Sequence, residues 1–232
     1  LCEATGADVR EVARAIGTDK RIGSKFLDSG PGFGGSCFKK DILNLVYLCE
    51  YFGLKEVADY WNVVVELNKW HKNRISKLIV KKLFGTITNK KITILGFAFK
   101  SNTNDTRESA SIQICRDLIE EGAILHVHDP KVEPEQINLH LSKGSENDKE
   151  QVFIINSNLS ESQSLNSIYG AFEDSDAVLI LTEWNVYKQI DWLKASKLMR
   201  RPAWLFDARS IINPKSLEGI PINFWRIGDG NI

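Results

Sequence analysis

The chain is predicted to be an α/β protein with two domains, a helical domain over residues 1–84 and a doubly wound parallel sheet over residues 85–232. In the first 84 residues, apolar side chains recur every three or four positions, which is the period of a helix. From Lys90 onward, short apolar runs alternate with helical segments, as in a parallel sheet covered by helices. A length of 232 residues exceeds one average domain of roughly 100 to 200 residues and therefore agrees with two.

Helices account for the regular structure predicted before residue 85. The first is marked by Val9, Val12, Ala13 and Ile16. After a glycine-rich turn, a helix is predicted from about Cys37 to Tyr51, with Gly53 as its stop signal. A long helix follows from about Lys55 to Leu83.

The long helix has apolar residues around most of its circumference between Val63 and Leu67. A helix on the surface of a single domain carries an apolar stripe on one side only. Two interpretations remain: an ordinary core helix, or a helix shared between domains or subunits. The second is favoured because few residues of the helical domain are available to surround it.

Five strands are predicted in the second domain, at residues 91–97, 123–129, 176–182, 203–209 and 223–228. Helices are predicted over 109–122 and near 164–173 and 189–199. A polar stretch at 142–162 is interpreted as a variable surface loop. Its apolar centre, residues 151–156, is predicted to form a short additional strand.

Composition and charge exclude several functional classes. The chain is 43% hydrophobic and 26% charged, which favours a folded core over disorder. Thirty basic and thirty acidic residues cancel, so neither nucleic acid nor an anionic membrane is a predicted partner. There is no signal pattern and no apolar run near the roughly 20 residues that span a bilayer. Four cysteines without metal-ligand spacing suggest a reducing, cytoplasmic location.

Gly30, Gly32 and Gly35 match the spacing of a dinucleotide-binding fingerprint. That fingerprint follows an apolar strand, whereas the residues before Gly30 are charged and helical in character. An NAD fingerprint is therefore disfavoured. The glycines instead allow the backbone to approach a ligand closely, and Ser36 is predicted to cap the helix that follows.

Cys37 would lie in the first turn of that helix, where the helix dipole and the nearby Lys39 and Lys40 favour a thiolate. Asp41, four residues later, would share its helix face and could activate a water molecule. The alternative is that Cys37 is a small buried apolar residue, as is predicted for the other three cysteines, Cys2, Cys49 and Cys115. A cysteine–histidine pair is disfavoured because the four histidines lie in other elements.

An anion site is predicted after the first strand. Asp105 and Glu108 have the spacing of a capping box, and Lys100 and Arg107 flank the predicted helix start. A helix N-terminus with two cations suits a phosphate or pyrophosphate, although the charges could simply be solvated.

Two further residues lie at predicted strand ends. Asp129 ends the second strand, where it could contact a ribose or simply form a turn. Arg209 follows the fourth strand and would project at the carboxyl edge of the sheet, where such folds bind ligands.

Five motifs together resemble those of the UDP-glucose/GDP-mannose dehydrogenases. They are GFGGSCFKKD (32–41), GFAFKSNTNDTRES (96–109), HDPKV (128–132), LTEWNVY (181–187) and FDAR (206–209), and they occur in the family's order. The resemblance implies a central helical dimerisation domain, a long connecting helix and a Rossmann-like UDP-binding domain. FAFK followed by TNDTRES is more similar to members that act on UDP-glucose than to those for GDP-mannose or UDP-N-acetylmannosamine.

The resemblance also implies a reaction and a set of site residues. The sugar C6 alcohol is oxidised to a carboxylate with two NAD, through an aldehyde, a cysteine thiohemiacetal and a thioester. The implied catalytic residues are Cys37, the nucleophile, Asp41, which assists hydrolysis, and Lys40. Implied substrate contacts are Phe33, Gly34, Phe99, Lys100, Arg209 and, from a neighbouring subunit, Arg21; implied cofactor contacts are Cys37, Phe38, Lys39, Lys40 and Arg107. A homodimer or larger homo-oligomer built on the long helix is implied as well.

This sequence departs from the family pattern at three positions. Asp28 stands where animal members usually have Lys, Lys39 where Gln or Pro is common, and Ala208 where Gly is usual. The family's N-terminal NAD-binding domain is absent from the sequence, so the chain alone is not expected to catalyse the reaction.

A hypothesis from another class is a non-catalytic module that dimerises and holds a nucleotide sugar. Such a module needs the cations Lys100, Arg107 and Arg209 but has little use for the thiolate of Cys37. The nucleophile therefore favours an enzyme.

Overall fold

The computed structural model describes residues 1–141, 151–155 and 161–230, with the side chains of 161–164 left aside. Before residue 85 the regular elements are helical, as predicted: α1 (Cys2–Thr5), α2 (Val9–Gly17), α3 (Phe38–Tyr51) and α4 (Lys55–Lys82). A segment without helix or strand at residues 29–36, called the glycine loop below, leads into α3. No helix among the described residues is long and apolar enough to cross a membrane.

Of the two predictions for the ends of α3, the cap at Ser36 is wrong and the stop at Gly53 is confirmed. The cap residue is Cys37, not Ser36, and no side chain caps the helix. The Ser36 hydroxyl lies 3.5 Å from the Cys37 Sγ instead. At the other end, Gly53 adopts φ +73°, and the next amide, of Leu54, donates to Cys49 O at 2.8 Å. Gly53 therefore stops the helix as predicted, because it tolerates the left-handed backbone.

The long helix α4 has two different halves. Toward its C-terminus, Ile75 and Ile79 are fully buried against the second domain. Toward its N-terminus, five apolar side chains lie at spacings of three and four and are all more than 40% exposed. This α4 stripe consists of Val57, Tyr60, Val63, Leu67 and Trp70. Within this chain, the first half of α4 is not an ordinary core helix.

The second domain is a six-stranded parallel sheet in the order β3-β2-β1-β4-β5-β6, covered by helices. All five predicted strands and the additional short strand are confirmed. The strands are β1 (Lys91–Leu95), β2 (Ile124–His128), β3 (Val152–Ile154), β4 (Ala177–Ile180), β5 (Trp204–Asp207) and β6 (Asn223–Arg226), and the helices are α5 (Ala110–Glu120), α6 (Pro134–Leu141), α7 (Glu161–Phe172) and α8 (Trp192–Leu198). The strand order reverses between β1 and β4, where folds of this kind open a crevice at the carboxyl edge. The residues around 142–150 and 156–160, interpreted as a surface loop, lie outside the described residues.

Helix α5 starts later than the sequence predicts. Its cap is Ser109, whose side chain accepts from Ser111 N. Asp105 instead accepts from Arg107 N at 2.9 Å, which makes a local turn. Glu108 has φ +55°, so a helix cannot pass through it. The predicted capping box of Asp105 and Glu108 is therefore wrong.

Asp129 has a structural role at the end of β2. It is fully buried, and its Oδ2 accepts from Phe97 N at 2.7 Å, Ala98 N at 3.0 Å and Trp184 Nε1 at 3.2 Å. Its Oδ1 accepts from Lys131 N at 2.9 Å, the bond of a turn. The turn interpretation is confirmed, whereas the ribose contact is not supported because the carboxylate faces the protein.

Folding stability is expected to decrease as the pH falls from 7 toward 4 because of His128. This fully buried imidazole contacts the Tyr187 hydroxyl at 3.0 Å. Burial lowers its pKa to about 4, although the nearby Asp129 acts in the opposite direction. In the unfolded chain the imidazole has its ordinary pKa near 6.5. Between pH 6.5 and pH 4 the unfolded state therefore binds a proton that the folded state excludes, which lowers the free energy of unfolding by roughly 3 kcal/mol in all. Urea unfolding of the chain and of a His128→Gln variant at pH 7.5 and pH 5 measures the effect. An equal loss of stability in both proteins would contradict the assignment to His128.

Candidate active site

Arg209 joins three loops at the carboxyl edge of the sheet. It follows β5, and its Nε donates to Leu181 O while its Nη2 donates to Phe99 O, both at 2.8 Å. The Nε also lies 3.3 Å from Glu183 Oε2. Burial lowers the pKa of Arg209, and the neighbouring Glu183 counteracts it. A Cβ built on Gly30 would lie 3.0 Å from Arg209 Nη1, so the guanidinium also reaches the glycine loop.

The glycine loop is pressed against the loop that follows β1. A Cβ on Gly34 would meet Glu108 O at 2.7 Å and Phe99 Cβ at 2.9 Å, too close for any side chain. The next residue, Gly35, has φ +87° and donates its N–H to Arg107 O at 2.8 Å. The predicted close approach therefore exists, but the partner is the protein's own backbone. It brings the predicted substrate residues Phe33, Gly34, Phe99 and Arg209 into one region.

Three side chains of α4 hold the same loops, and sequence reasoning missed them. Asn68 binds the backbone of Phe33 twice: Oδ1 accepts from Phe33 N at 3.0 Å, and Nδ2 donates to Phe33 O at 3.1 Å. His71 Nε2 contacts Gly30 O at 3.0 Å, and Lys72 Nζ donates to Glu108 O at 3.2 Å. Residues 66–74 are polar except for Leu67 and Trp70, so no local pattern singles out these three side chains.

Cys37 is exposed at the N-terminus of α3. Asp41 N donates to Cys37 O at 2.9 Å, one helical turn on, and Asp41 is exposed as well. The alternative of a buried apolar residue is therefore wrong for Cys37. It is right for Cys49 and Cys115, which are buried, and burial raises the pKa of the Cys115 thiol. Cys2 is partly exposed.

The cations around Cys37 differ from those predicted. Lys39 turns away and binds both oxygens of Glu108 at 3.0 Å. Arg107 pairs with Asp105 at 2.8 Å, which raises the pKa of Arg107, and the charge of Cys37 also contributes to this increase. Lys40 is exposed beside them.

Several predicted groups are not assembled into one site. At the predicted anion site, Ala110 and Ser111 in the first turn of α5 are buried, and Arg107 pairs with Asp105. Lys100 Nζ lies 5.4 Å from the centre of the Phe99 ring. Arg21 has an 89% exposed side chain and pairs with Asp19 at 2.6 Å.

Aromatic rings connect the loop to α3. Phe33 and Phe38 pack edge to face with ring centres 4.7 Å apart. Among the described residues there is no cluster of three or more histidine, cysteine or acidic side chains that could hold a metal ion.

Comparison with known proteins identifies relatives of this arrangement. Residues 1–70 match the central domain of the UDP-glucose/GDP-mannose dehydrogenase family, and residues 93–214 match its UDP binding domain. The chain is 47% identical to UDP-glucose 6-dehydrogenase of Drosophila melanogaster, covering 98% of this chain and 47% of that one, and 52% identical to the Gallus gallus protein of the same name, covering 92% and 42%. It thus spans about half the length of these relatives.

Solved structures resemble the fold over its whole length. A UDP-glucose dehydrogenase from Pyrobaculum islandicum superimposes with a TM-score of 0.74 at 27% identity, covering 98% of this chain and 45% of that one. An NDP-N-acetyl-D-galactosaminuronic acid dehydrogenase from Methanosarcina mazei Go1 superimposes with 0.70 at 22% identity, covering 99% and 46%, a likeness of fold alone. The motifs, the cysteine-bearing glycine loop and these matches agree, and the chain belongs to the UDP-glucose/GDP-mannose dehydrogenase family.

Proposed function

We propose that the chain is part of an NAD-dependent dehydrogenase that oxidises UDP-glucose to UDP-glucuronate. The observation that carries the proposal is the exposed Cys37, placed where the glycine loop meets the carboxyl edge of the sheet. A nucleophile at this junction can reach a sugar whose nucleotide is held by the second domain. The named relatives at 47% and 52% identity support UDP-glucose as the substrate.

In this proposal the nucleotide sugar lies along the loops that Arg209 holds together. Arg209 and Lys100 supply positive charge for the diphosphate. Phe33, Gly34 and Phe99 line the sugar side, where aromatic faces cover the ring. The sugar C6 carbon then points toward Cys37.

The residues near Cys37 suit an anionic dinucleotide. Arg107 and Lys40 are exposed cations on the thiol side and can pair with a pyrophosphate, and Phe38, 44% exposed, offers an aromatic surface. Lys39 is a less direct contact for the dinucleotide, because its ammonium group is already paired with Glu108. When bound, NAD accepts a hydride from the sugar carbon in each of the two oxidations. Another part of the protein supplies the NAD-binding domain in this proposal.

Cys37 and Asp41 divide the remaining chemistry. The C6 alcohol loses a hydride and a proton to give the aldehyde, and the Cys37 thiolate adds to its carbonyl carbon. The thiohemiacetal oxyanion formed by this addition loses a second hydride and becomes a thioester. Asp41, one turn further along the exposed face, accepts a proton from the water that attacks the thioester, and the Cys37 thiolate leaves. The carboxylic acid so formed gives its remaining proton to solvent and is released as the carboxylate. The covalent bond keeps the aldehyde in the site between the oxidations.

Calorimetric titration of the chain with UDP-glucose, UDP and GDP-mannose tests the substrate assignment. UDP compounds are expected to bind, and Lys100→Ala is expected to weaken them about tenfold, the effect of one charge-assisted hydrogen bond. Lys81→Ala, an exposed lysine in the last turn of α4, is the matched control. Preference for GDP-mannose, or no difference between the two variants, would contradict the proposal.

We further propose that two copies pair through the α4 stripe in a cytoplasmic homodimer. Contiguous exposed apolar surface of this kind is typical of protein interfaces. All four cysteines are free, which agrees with a reducing compartment.

The double variant Val63→Glu, Leu67→Glu is expected to be monomeric, because two carboxylates would be buried at the pairing surface. Light scattering after size-exclusion chromatography measures the mass. Leu139→Glu changes an exposed leucine of α6, 78% accessible, and is expected to leave the dimer intact. A monomeric unmodified chain at micromolar concentration would refute the pairing.

A further inference from the structure

A cleft of about 430 Å³ lies between α4 and α5, outside the proposed UDP-glucose contacts. Its walls include Asn68, Lys69 and Lys72 of α4 and Gln113 and Arg116 of α5. The volume is far greater than one phosphate group and lies in the range of small-molecule sites.

The charges that face the cleft are unbalanced. Four cationic side chains, Lys39, Lys69, Lys72 and Arg116, line it together with one carboxylate, that of Glu108. Lys39 already occupies both oxygens of that carboxylate at 3.0 Å. The other three cations have no acidic side chain bonded to them in the part of the chain that the structure describes.

Lys72 is the cation of the cleft whose surroundings most favour an anion. It is only 8% exposed, and its hydrogen bond goes to the carbonyl oxygen of Glu108, which carries no net charge. Burial lowers its pKa, partly offset by the charge of Glu108. Buried ammonium groups are normally paired, because an isolated buried charge is costly.

Arg116 offers a second set of donors. Its Nε donates to His140 O at 2.9 Å, which fixes the guanidinium at the cleft. Its two Nη groups have no bonded partner among the described residues. A planar guanidinium with free terminal donors suits bidentate binding of a phosphate.

We propose that this cleft binds a phosphate-bearing small molecule through Lys69, Lys72 and Arg116. The site is independent of the proposed dehydrogenase reaction, since none of its three phosphate ligands is assigned to UDP-glucose or NAD. A polyvalent anion satisfies the buried ammonium of Lys72, and the remaining volume admits an organic group attached to the phosphate.

Titration of the chain with inorganic pyrophosphate and with glucose 6-phosphate, in 0.15 M salt at about physiological ionic strength, tests the proposal. At least one is expected to bind, and the double variant Lys69→Met, Arg116→Met is expected to weaken it about tenfold for each lost charge-assisted bond. Lys81→Met on the same helix is expected to bind as the unmodified chain does, and Lys100→Ala in the sheet-edge loop is expected to retain the binding that the double variant loses. Tighter binding of glucose 6-phosphate would identify a sugar phosphate, and tighter binding of pyrophosphate an inorganic or terminal diphosphate; both support the site.

Thermal unfolding gives a second readout that does not depend on heats of binding. The same anion should raise the melting temperature of the chain but not that of the double variant, whose fold is checked by circular dichroism. No binding of either anion, or equal binding to the double variant, would overturn the proposal. A loss confined to Lys100→Ala would also overturn it, because the anion would then occupy the proposed UDP-glucose site.

Discussion

Alanine in place of Cys37 is expected to abolish carboxylate formation in a polypeptide that joins this chain to the NAD-binding domain of a family member. Without Sγ there is no thiohemiacetal, so the second oxidation loses its covalent substrate. The expected loss in kcat is on the order of 10³-fold or more, as for other covalent nucleophiles. Chromatographic measurement of the UDP-sugar carboxylate, beside the fluorescence of NADH, gives the rate.

Cys49→Ala is the matched control for this result. Cys49 lies on the same helix, α3, but is buried, so its removal costs packing and leaves the exposed face unchanged. The control is expected to keep its rate at temperatures where it stays folded. Equal rates for the unmodified fusion and the Cys37→Ala fusion would show that the thiol is not the nucleophile. The non-catalytic hypothesis would gain support if UDP-glucose still bound but the unmodified fusion formed no carboxylate.

The sheet could be predicted because its strands carry their own signal. Ile94, Val127 and Leu179 are fully buried between two layers of helices, and such strands read as continuous apolar runs. Their alternation with helical segments predicts the topology. Even the three-residue strand β3 is marked in the sequence by a short apolar run within a polar stretch.

Two helix starts were mispredicted, and that of α5 has a tertiary cause. Ser36 and Asp105 have the side chains of cap residues, and local preference places the helices there. In the fold, the glycine loop and the loop after β1 press together at Gly34 and Glu108, which forces Glu108 into a left-handed conformation. Tertiary contact thus delays α5 until Ser109, and no local pattern encodes that contact.

The contacts that Asn68 and His71 of α4 make with the glycine loop could not be predicted from a single sequence. Asn68 and Phe33 are 35 residues apart, and His71 and Gly30 are 41 apart. Each pair is formed only when α4 folds back beside the glycine loop. The motifs pointed to Cys37 and Arg209, whereas the residues of α4 that hold the neighbouring loops are brought there only by the fold.

Arg209→Ala is expected to lose UDP-glucose binding by about 100-fold, the effect of more than one charge-assisted hydrogen bond. The loss has two origins: the guanidinium itself, and the loops it holds through Leu181 O and Phe99 O. The variant is also expected to be less stable by roughly 3 kcal/mol, because Glu183 keeps a half-buried carboxylate without its partner. Calorimetry with UDP-glucose and urea unfolding measure the two quantities.

A second substitution separates the effect of the unpaired Glu183 carboxylate from the loss of the Arg209 side chain. In Arg209→Ala with Glu183→Gln, the unpaired charge is gone, so stability is expected to recover while binding stays weak. Arg200→Ala is the control at the opposite edge of the sheet, where Arg200 pairs with Asp176 at 3.7 Å and is half exposed. It is expected to bind UDP-glucose as the unmodified chain does. If the double variant recovered binding along with stability, the loss in Arg209→Ala would come from the unpaired Glu183 carboxylate, and the diphosphate would have to be held by Lys100 and backbone groups instead.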